Sequence, residues 1–384
     1  MSVTATDRIV TYKFRAYPTR QQSEALTAQL AEACRLYNAA LQERRDAWRM
    51  RRESVGLNSQ RRQLKDIRAA GDIGIPSYKI AEDVLYRVEH AFRAFFRRVK
   101  AGQRAGYPRF RSRDRYDSLA SRNSGKALIL HGESLRVSGI DGLIKVRVHR
   151  PLMGVQPIVA IKREGRRWFV LVTCRGLIES LPASRASVGL DVGLTSFVAA
   201  SDGATVKAPA LLRRSERELR RAQRKLGRAK LRSRRRSVCR ARVSELHRRV
   251  VARRRDFAHK LSRSIVDRYG LIAVERLNIA GMARSPLFAK SIHDAGWRVF
   301  LNQLAYKAAW AGRAFVEVEA AGTSQTCVCG ASVPKTLSVR WHECSACGLS
   351  APRDVVSAMV IEARGRRVQA LSGPIGSLAC GGAQ

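Results

Sequence analysis

Residues 186–203 read ASVGLDVGLTSFVAASDG, and this stretch predicts the architecture of the second half of the chain. Two apolar runs flank a short Gly-containing break, and the second run ends at the turn dipeptide Asp202-Gly203. The pattern predicts a β-hairpin whose first strand is buried and carries Asp191. An ionised carboxylate in an apolar strand is costly unless it is paired or bound to a metal. Asp191 is therefore the first candidate functional residue.

A second acid stands in a similar place further along the chain. The segment YGLIAVERLNI, residues 269–279, contains four consecutive apolar residues and then Glu275, which is typical of a central parallel strand that ends on an acid. A salt bridge to Arg276 is the alternative role for this glutamate. Strand and helix patterns alternate from residue 184 onward, which predicts an α/β domain with its boundary near residue 182.

The third acid, Asp354, begins a predicted helix near the C-terminus. The inner face of that helix would carry Val355, Ala358, Met359 and Ile361. Complementing the helix dipole is the alternative role for an acid in a first turn.

Together the three acids follow the order Asp, Glu, Asp on a first strand, a later strand and a terminal helix. A ribonuclease-H-like nuclease core requires this order. Carboxylate oxygens suit hard divalent ions, and two such ions about 3.5–4 Å apart promote phosphodiester hydrolysis. The sequence therefore predicts two Mg²⁺ ions held by Asp191, Glu275 and Asp354, with Mn²⁺ able to substitute.

The cysteines divide into a cluster and a scattered set. Four lie in two close pairs: Cys327, Cys329, Cys344 and Cys347. The others are far apart and predict ordinary packing: Cys34, Cys174, Cys239 and Cys380. The paired spacing predicts one Zn²⁺ rather than disulfides. Four thiolates leave no coordination position open for water, so this zinc would be structural, bracing the chain ahead of Asp354.

The N-terminal half combines strands with long helices. RIVTYKFRAYP, residues 8–18, alternates like a half-buried strand, and Thr19 with Gln22 resembles a capping box that begins a helix to about Arg52. A second helix is predicted from about Ser77 to Lys100. Short strands between residues 127 and 174 would close a small barrel with the opening strand, leaving residues 19–126 as a helical insertion.

Charge indicates the partner. The chain has 73 Lys and Arg against 31 Asp and Glu, a net charge of +42, which favours nucleic acid, although a ribosomal or chromatin protein could carry the same charge. The first ten residues lack the apolar core of a signal peptide, and no apolar run approaches the ~20 residues of a membrane helix, so no membrane contact and a cytoplasmic location are expected.

Two segments are candidate nucleic-acid contacts. AGQRAGYPRFRSRDRY, residues 101–116, interleaves arginines with aromatic residues, and residues 213–255 contain 20 Lys or Arg against three Glu. A solvated loop and a solvated charged helix face are the alternatives. The predicted contacts are Arg104, Tyr107, Arg109, Phe110, Arg111, Arg221, Arg224, Lys225, Arg235 and Arg236.

Several motifs together resemble the TnpB family, RNA-guided DNA endonucleases encoded by bacterial insertion sequences and similar to compact type V CRISPR effectors. The resemblance covers nearly the whole chain. It lies in KFRAYPT, AFRAFFRRVKAGQRAGYPRFRSRDRYDSL, GLDVGLTSF, VERLNI, TSQTC and RWHECSACG followed by RDV.

The resemblance implies a multidomain α+β protein. It would have a wedge β-barrel (1–18 with 127–182), a helical recognition lobe (19–126) and a RuvC nuclease domain (183–384). The RuvC domain would contain a zinc-binding insertion (323–350) and end in a disordered tail (about 370–384). Asp191, Glu275 and Asp354 fall on the three catalytic motifs. The family uses a guide RNA from the transposon end, recognises a short DNA motif beside the target and cuts both strands, and a monomer is expected.

Two departures from the family pattern bear on these expectations. The first cysteine pair is Cys327-Val328-Cys329, one residue shorter than usual, so His342 is an alternative ligand. Pro352 and Val356 replace the acid and asparagine that usually flank the last catalytic aspartate. Three alternative functions remain: a guide-directed DNA-binding repressor that does not cut, a ribonuclease-H-type transposase, and a structural zinc protein that binds nucleic acid.

Overall fold

A computed structural model describes residues 5–122, 127–282, 284, 289–336 and 338–371. The chain divides into two compact units. One comprises Asp7–Leu177, and the other comprises Ile178 onward together with the first six residues. Each unit combines helices with a β-sheet, so the chain has a mixed α/β, multidomain architecture.

The first unit contains three helices: α1 (Arg20–Arg51), α2 (Leu57–Ala69) and α3 (Tyr78–Lys100). The predicted capping box is confirmed, because the Gln22 backbone N–H donates to Thr19 Oγ1 at 3.2 Å and the Thr19 N–H donates to Gln22 Oε1 at 3.0 Å. The sequence analysis missed α2. This helix is short and has few apolar residues, and its buried residues are Gln60 and Leu64.

The sheet of the first unit has seven strands in the part of the chain that the structure describes. They are β1 (Ala5–Tyr17), β2 (Ser118–Arg122), β3 (Leu128–His131), β4 (Ser134–Val137), β5 (Ile144–Arg147), β6 (Val155–Glu164) and β7 (Arg167–Glu179). Their order is β2-β6-β7-β1-β5-β4-β3. Inward residues of β1, such as Phe14, join the apolar side chains of α1 and α3 in one core. Because β2 and β3 end this order, barrel closure stays a prediction.

The second unit has a five-stranded sheet within the described residues. Its strands are β8 (Ser187–Asp191), β9 (Ser196–Ala200), β10 (Thr205–Lys207), β11 (Leu271–Glu275) and β12 (Ala314–Val318). Their order is β10-β9-β8-β11-β12. The β8–β9 pair is antiparallel, which confirms the predicted hairpin, whereas β8–β11 and β11–β12 are parallel.

The described part of the second unit contains six helices. They are α4 (Leu211–Gly227), α5 (Arg234–Arg268), α6 (Ile279–Met282), α7 (Ala289–Ala295), α8 (Trp297–Trp310) and α9 (Arg353–Leu371). Of these, α5, α8 and α9 pack on the sheet. The apolar side chains of α5 and α8, including Phe300, pack with the inward residues of β8, β9 and β11. The charged run therefore forms the helical pair α4–α5, as predicted.

A short two-stranded sheet, β13 (Trp341–Glu343) with β14 (Ser350–Pro352), precedes α9. Ala370 and Leu371 are the last residues of α9, and the rest of the predicted tail lies outside the described residues. Among the described helices, none has the length and apolarity needed to cross a membrane.

Candidate functional site

Asp191 and Glu275 lie at the same edge of the second sheet. They are the last residues of β8 and β11. The register of these parallel strands pairs Leu190, the residue before Asp191, with Val274, the residue before Glu275. Adjacent strands lie about 4.8 Å apart, so the two acids are lateral neighbours. Both project from the carboxyl end of the sheet, where polar residues of several elements can meet.

Asp354 reaches the same place because α9 lies directly on β8 and β11. Gly189 of β8 faces the backbone of α9, where an added Cβ would collide with the Ala358 carbonyl oxygen. Gly365 of α9 faces Ala273 of β11, where an added Cβ would also collide. These two close approaches fix the crossing of the helix over the sheet. They set the first turn of α9, and Asp354 within it, near Asp191.

The three acids interact electrostatically. Burial, and then the charges of Glu275 and Asp354, raise the pKa of Asp191 to about 7, and nearby Arg353 opposes this only in part. Burial also raises the pKa of Glu275 above its usual value. The hydrogen bond from the Thr323 hydroxyl and the charge of Arg364 offset this rise only in part. Arg353 and Arg364 compensate for these carboxylates only in part, and a site that concentrates partly buried carboxylates favours a bound hard cation. The oxygen donor set fits Mg²⁺ or Mn²⁺.

The salt bridge considered for Glu275 does not form. Arg276 instead pairs with Glu319, at 2.9 Å between Arg276 Nη1 and Glu319 Oε1. Glu275 accepts a hydrogen bond from Thr323, whose side chain is 4% exposed. The hydrogen-bond donor to the Glu275 carboxylate is therefore a neutral hydroxyl, so this carboxylate keeps a negative charge that could bind a metal ion.

The four cysteines converge despite the short Cys-x-Cys spacing. Cys327 and Cys347 Sγ are 3.6 Å apart, and Cys329 and Cys344 Sγ are 3.7 Å apart, with all four Sγ atoms within 4.8 Å of one another. A tetrahedral zinc with Zn–S bonds of about 2.3 Å requires S–S separations of about 3.8 Å. The thiols therefore fit Zn²⁺. In the described part of the chain they are the one group of three or more His, Cys, Asp or Glu whose ligand atoms lie this close together, and the carboxylates of Asp191, Glu275 and Asp354 are farther from one another.

His342 is not part of this cluster. Its side chain is fully buried, and its Nδ1 contacts Lys335 Nζ. The tight turns that bring the thiols together instead use glycines at positive φ, Gly330 (φ 95°) and Gly348 (φ 73°). The set of four sulfurs is complete without the imidazole.

The thiol cluster is connected to two of the three acids. Thr323, four residues before Cys327, donates to Glu275. Arg353, beside Asp354, donates from Nη1 to the Thr336 carbonyl at 3.0 Å and to the Val339 carbonyl at 3.3 Å, within the loop between the two cysteine pairs. The start of the cysteine segment thus contacts Glu275 directly, and its middle loop contacts Arg353, the neighbour of Asp354 in the chain.

The predicted nucleic-acid residues of the first unit lie in a segment that is packed rather than free. Tyr107 contacts Phe92 and Phe95 edge-to-face, with ring centroids 5.6 and 5.4 Å apart. Both backbone polar groups of Arg111 bond to the Asn38 side chain, at 2.8 and 2.9 Å. Arg104, Arg109 and Phe110 are exposed.

The predicted contacts on α4 and α5 are exposed, with one exception. Arg221, Arg224, Lys225 and Arg235 face solvent. Arg236 is half-buried and donates from Nη1 to the Leu226 and Ala229 carbonyls, both at 3.0 Å, so its guanidinium holds the turn between the two helices.

Sequence reasoning missed two positioning side chains in this unit. Thr323 is one. Asp294 is the other: it is buried, accepts from the Leu212 N–H at 2.9 Å and the Arg213 N–H at 3.3 Å, and pairs with Arg254 at 3.0 Å. It thereby joins the start of α4 to α5. Thr323 stands in the quoted motif TSQTC, but no local pattern identifies its partner.

Family models match three parts of the chain. Residues 160–286 match a model described as a probable transposase (OrfB of IS605), residues 297–361 match a Cas12f1-like TNB domain, and residues 8–53 match a helix-turn-helix domain.

Curated relatives match across the chain. A putative RNA-guided DNA endonuclease of Streptomyces pristinaespiralis is 31% identical over 92% of this chain and 89% of its own length. The putative RNA-guided DNA endonuclease InsQ of Escherichia coli strain K12 is 27% identical over 94% of each chain. Among solved structures, the mini-RNA-guided endonuclease CRISPR-Cas_phi3 is 10% identical, with a TM-score of 0.47, over 93% of this chain and 92% of that one.

Proposed function

This chain belongs to the OrfB/TnpB transposase family, and from that premise we propose that it is a metal-dependent, RNA-guided DNA endonuclease. The relatives that match nearly its whole length carry the name of that activity. The guide would be an RNA from the transposon end. The substrate would be double-stranded DNA beside a short recognition motif, with both strands cut.

The observation that carries this proposal is the convergence of Asp191, Glu275 and Asp354. They come from positions 191, 275 and 354, yet the charges of Glu275 and Asp354 both raise the pKa of Asp191. Structural ion pairs would bring opposite charges together instead. Like charges kept together in a partly buried site are typical of a catalytic centre.

The strand arrangement supports a ribonuclease-H-like, RuvC-type core. An antiparallel hairpin is extended by two parallel strands, with the first acid on the central strand and the last on a helix across it. In such a core the carboxylates of Asp191, Glu275 and Asp354 would hold two divalent ions. When bound, these ions would activate water and stabilise the leaving oxygen.

The protein's own groups prepare that chemistry. Asp191 must lose its proton to bind a cation, which its pKa of about 7 allows near neutral pH. Thr323 donates to one oxygen of Glu275 and fixes the orientation of the carboxylate. Arg364 donates from Nη1 to the Glu319 and Ala321 carbonyls, both at 2.9 Å, and so holds the chain that carries Thr323.

The cysteine cluster would hold structural zinc. Its four thiols complete a tetrahedral set and leave no position for water. Thr323, just before the first cysteine pair, bonds to Glu275, and Arg353, the residue before Asp354, bonds to the loop between the two pairs. Zinc held by the cysteines would therefore help to position both acids.

The charge of α4 and α5 supports a nucleic-acid partner. Their three glutamates are already paired within the second unit: Glu216 with Arg220 and Lys290, Glu218 with Arg242, and Glu245 with Arg248 and Arg249. Most arginines of the pair are left to face solvent, which suits a phosphate backbone.

Isolation of the protein with its bound nucleic acid tests the function. The copurified RNA is sequenced, and the complex is offered plasmid DNA that contains the matching target with Mg²⁺ or with a chelator. We expect cleavage that requires the guide, the match and the divalent ion. Target binding without cleavage by the wild-type complex would favour the repressor instead, and joined DNA ends would favour a transposase.

A further inference from the structure

Outside the carboxylate centre, the first unit contains a groove of about 400 Å³ between α1 and the segment that follows α3. Its lining consists of Leu41, Arg45, Tyr107, Pro108, Arg109 and Phe110. The volume falls within the usual range for small-molecule sites.

The groove is preformed because its wall is anchored on both sides. Asn38 of α1 accepts from the Arg111 N–H and donates to the Arg111 carbonyl, so the chain beside Phe110 cannot move away from the helix. Tyr107 rests edge-to-face on Phe92 and Phe95 of α3. A solvated loop would have neither anchor.

Two aromatic rings remain open to solvent although their backbone is fixed. Tyr107 is 43% exposed and Phe110 is 46% exposed. Rigid, exposed aromatic surface next to a cavity is costly in water, and it marks a surface that a ligand covers. Leu41, which also lines the groove, is buried and apolar.

The charge of the lining defines the ligand further. Arg45 and Arg109 stand on opposite walls, and the Arg45 guanidinium lies 5.8 Å from the centroid of the Phe110 ring. No carboxylate is among the lining residues. The ligand should therefore combine a flat apolar face with negative charge.

We propose that this groove binds one unpaired nucleotide, with its base stacked on Tyr107 or Phe110 and its phosphates beside Arg45 and Arg109. This inference rests on the proposed function for the presence of a nucleic-acid strand. Stacking requires a free base face, and inside a duplex both faces of each base are covered by neighbouring bases. The groove is thus assigned to a single-stranded segment, and its source in RNA or DNA is resolved by the test.

Photocrosslinking locates the contact directly. The full-length protein is irradiated with a twelve-nucleotide oligouridine or oligothymidine that carries 5-iodouracil, and crosslinked peptides are identified by mass spectrometry. We expect crosslinks at Tyr107 or Phe110 with at least one of the two strands, and the stronger signal identifies RNA or DNA as the source. Crosslinks confined to other aromatic residues would overturn the assignment.

Salt dependence separates stacking from phosphate contact. Stacking contributes affinity without releasing counterions, so Phe110→Leu and Tyr107→Leu should each weaken single-strand binding about 5- to 100-fold while the slope of log affinity against log salt stays unchanged. Arg109→Gln should lower the slope by about one unit instead. The matched control is Phe96→Leu, because Phe96 is 60% exposed on α3 but does not line the groove.

A twelve-base-pair duplex completes the test. Its affinity should not change in Phe110→Leu. If Phe110→Leu weakened the binding of duplex and single strand equally, or weakened neither, the inference would be overturned. Guide-dependent cleavage by the wild-type protein is measured in parallel, so a protein that cuts normally but shows no effect at the groove contradicts only this inference.

Discussion

The thiol cluster and the carboxylate centre are both candidate metal sites, yet they differ in how the chain builds them. The four cysteines lie within 21 residues, and their sulfurs already stand at the separations of a zinc tetrahedron. The three acids lie on three elements far apart in sequence, and they meet as mutually repelling charges. A structural site can be closed by local turns, whereas a catalytic site must be forced together by the packing of a whole domain.

The largest expected effect comes from a substitution that disrupts the carboxylate centre and leaves the thiol cluster intact. Asp354→Ala should reduce DNA cleavage by about 10³-fold or more, because it would remove a ligand of the proposed hydrolytic metal. Zinc content and guide binding should remain at wild-type levels, since the thiols and the cationic helices are untouched. Metal analysis and cleavage kinetics are measured on the same preparation. Glu319→Ala, an exposed acid of the same unit, is the control.

The second prediction concerns the energetic cost of holding the acids together. Asp191 keeps its proton to a higher pH in the folded protein, about 7 instead of 3.8, so stability falls as pH rises from about 4 to about 7 and stays low above that. Asp191→Asn removes this cost. The variant should be more stable than the wild type by up to about 4 kcal/mol at pH 8 without Mg²⁺, and the difference should vanish near pH 4.

Denaturant unfolding at several pH values measures this difference. Asp256→Asn, which changes an exposed carboxylate on α5 and keeps Asp191, should differ from the wild type in stability by the same amount at every pH. Added Mg²⁺ should stabilise the wild type more than Asp191→Asn, because only the wild type offers the ionised ligand. A variant no more stable than the wild type at pH 8 would contradict the raised pKa that burial and the two neighbouring acids give Asp191.

The third prediction concerns a substitution that disrupts the thiol cluster. Cys347→Ser should lose zinc and lower the melting temperature by on the order of 10 °C, because the metal closes the segment between the two cysteine pairs. Cleavage should fall as an indirect result. Cys239→Ser, which removes a half-buried thiol on α5, is the matched control. A Cys347→Ser protein that keeps its zinc would show that the four-sulfur set is wrong.

The smallest effect tests the contact between the two regions. Thr323→Val keeps the shape of the side chain but removes the hydrogen bond to Glu275, so cleavage should fall about 10-fold with zinc retained. Thr323→Ser restores the hydroxyl and should recover most of the activity. If Thr323→Val and Thr323→Ser cut equally well, the hydroxyl does not position the acid.

Sequence alone was sufficient for features that depend on neighbouring residues. The capping box at Thr19, the β8–β9 hairpin, the α4–α5 pair and the thiol cluster were all predicted, because each is determined by interactions over a few residues or by a tight turn. Asp191 and Glu275 were identified as candidates by a local conflict, a charged residue in an apolar strand, and Asp354 was identified as the acid that begins the terminal helix. The short helix α2 has too few apolar residues to have given such a signal.

Tertiary structure alone decided which distant residues meet. The parallel pairing of β8 with β11 and the close approach of α9 at Gly189 bring the acids together, and burial then sets the pKa of Asp191. The partner of Thr323 and the anchoring of Arg111 on Asn38 also follow from packing. Such contacts depend on the topology of the whole chain, since many sequence-distant residues compete for each place in a core and local propensity does not distinguish among them.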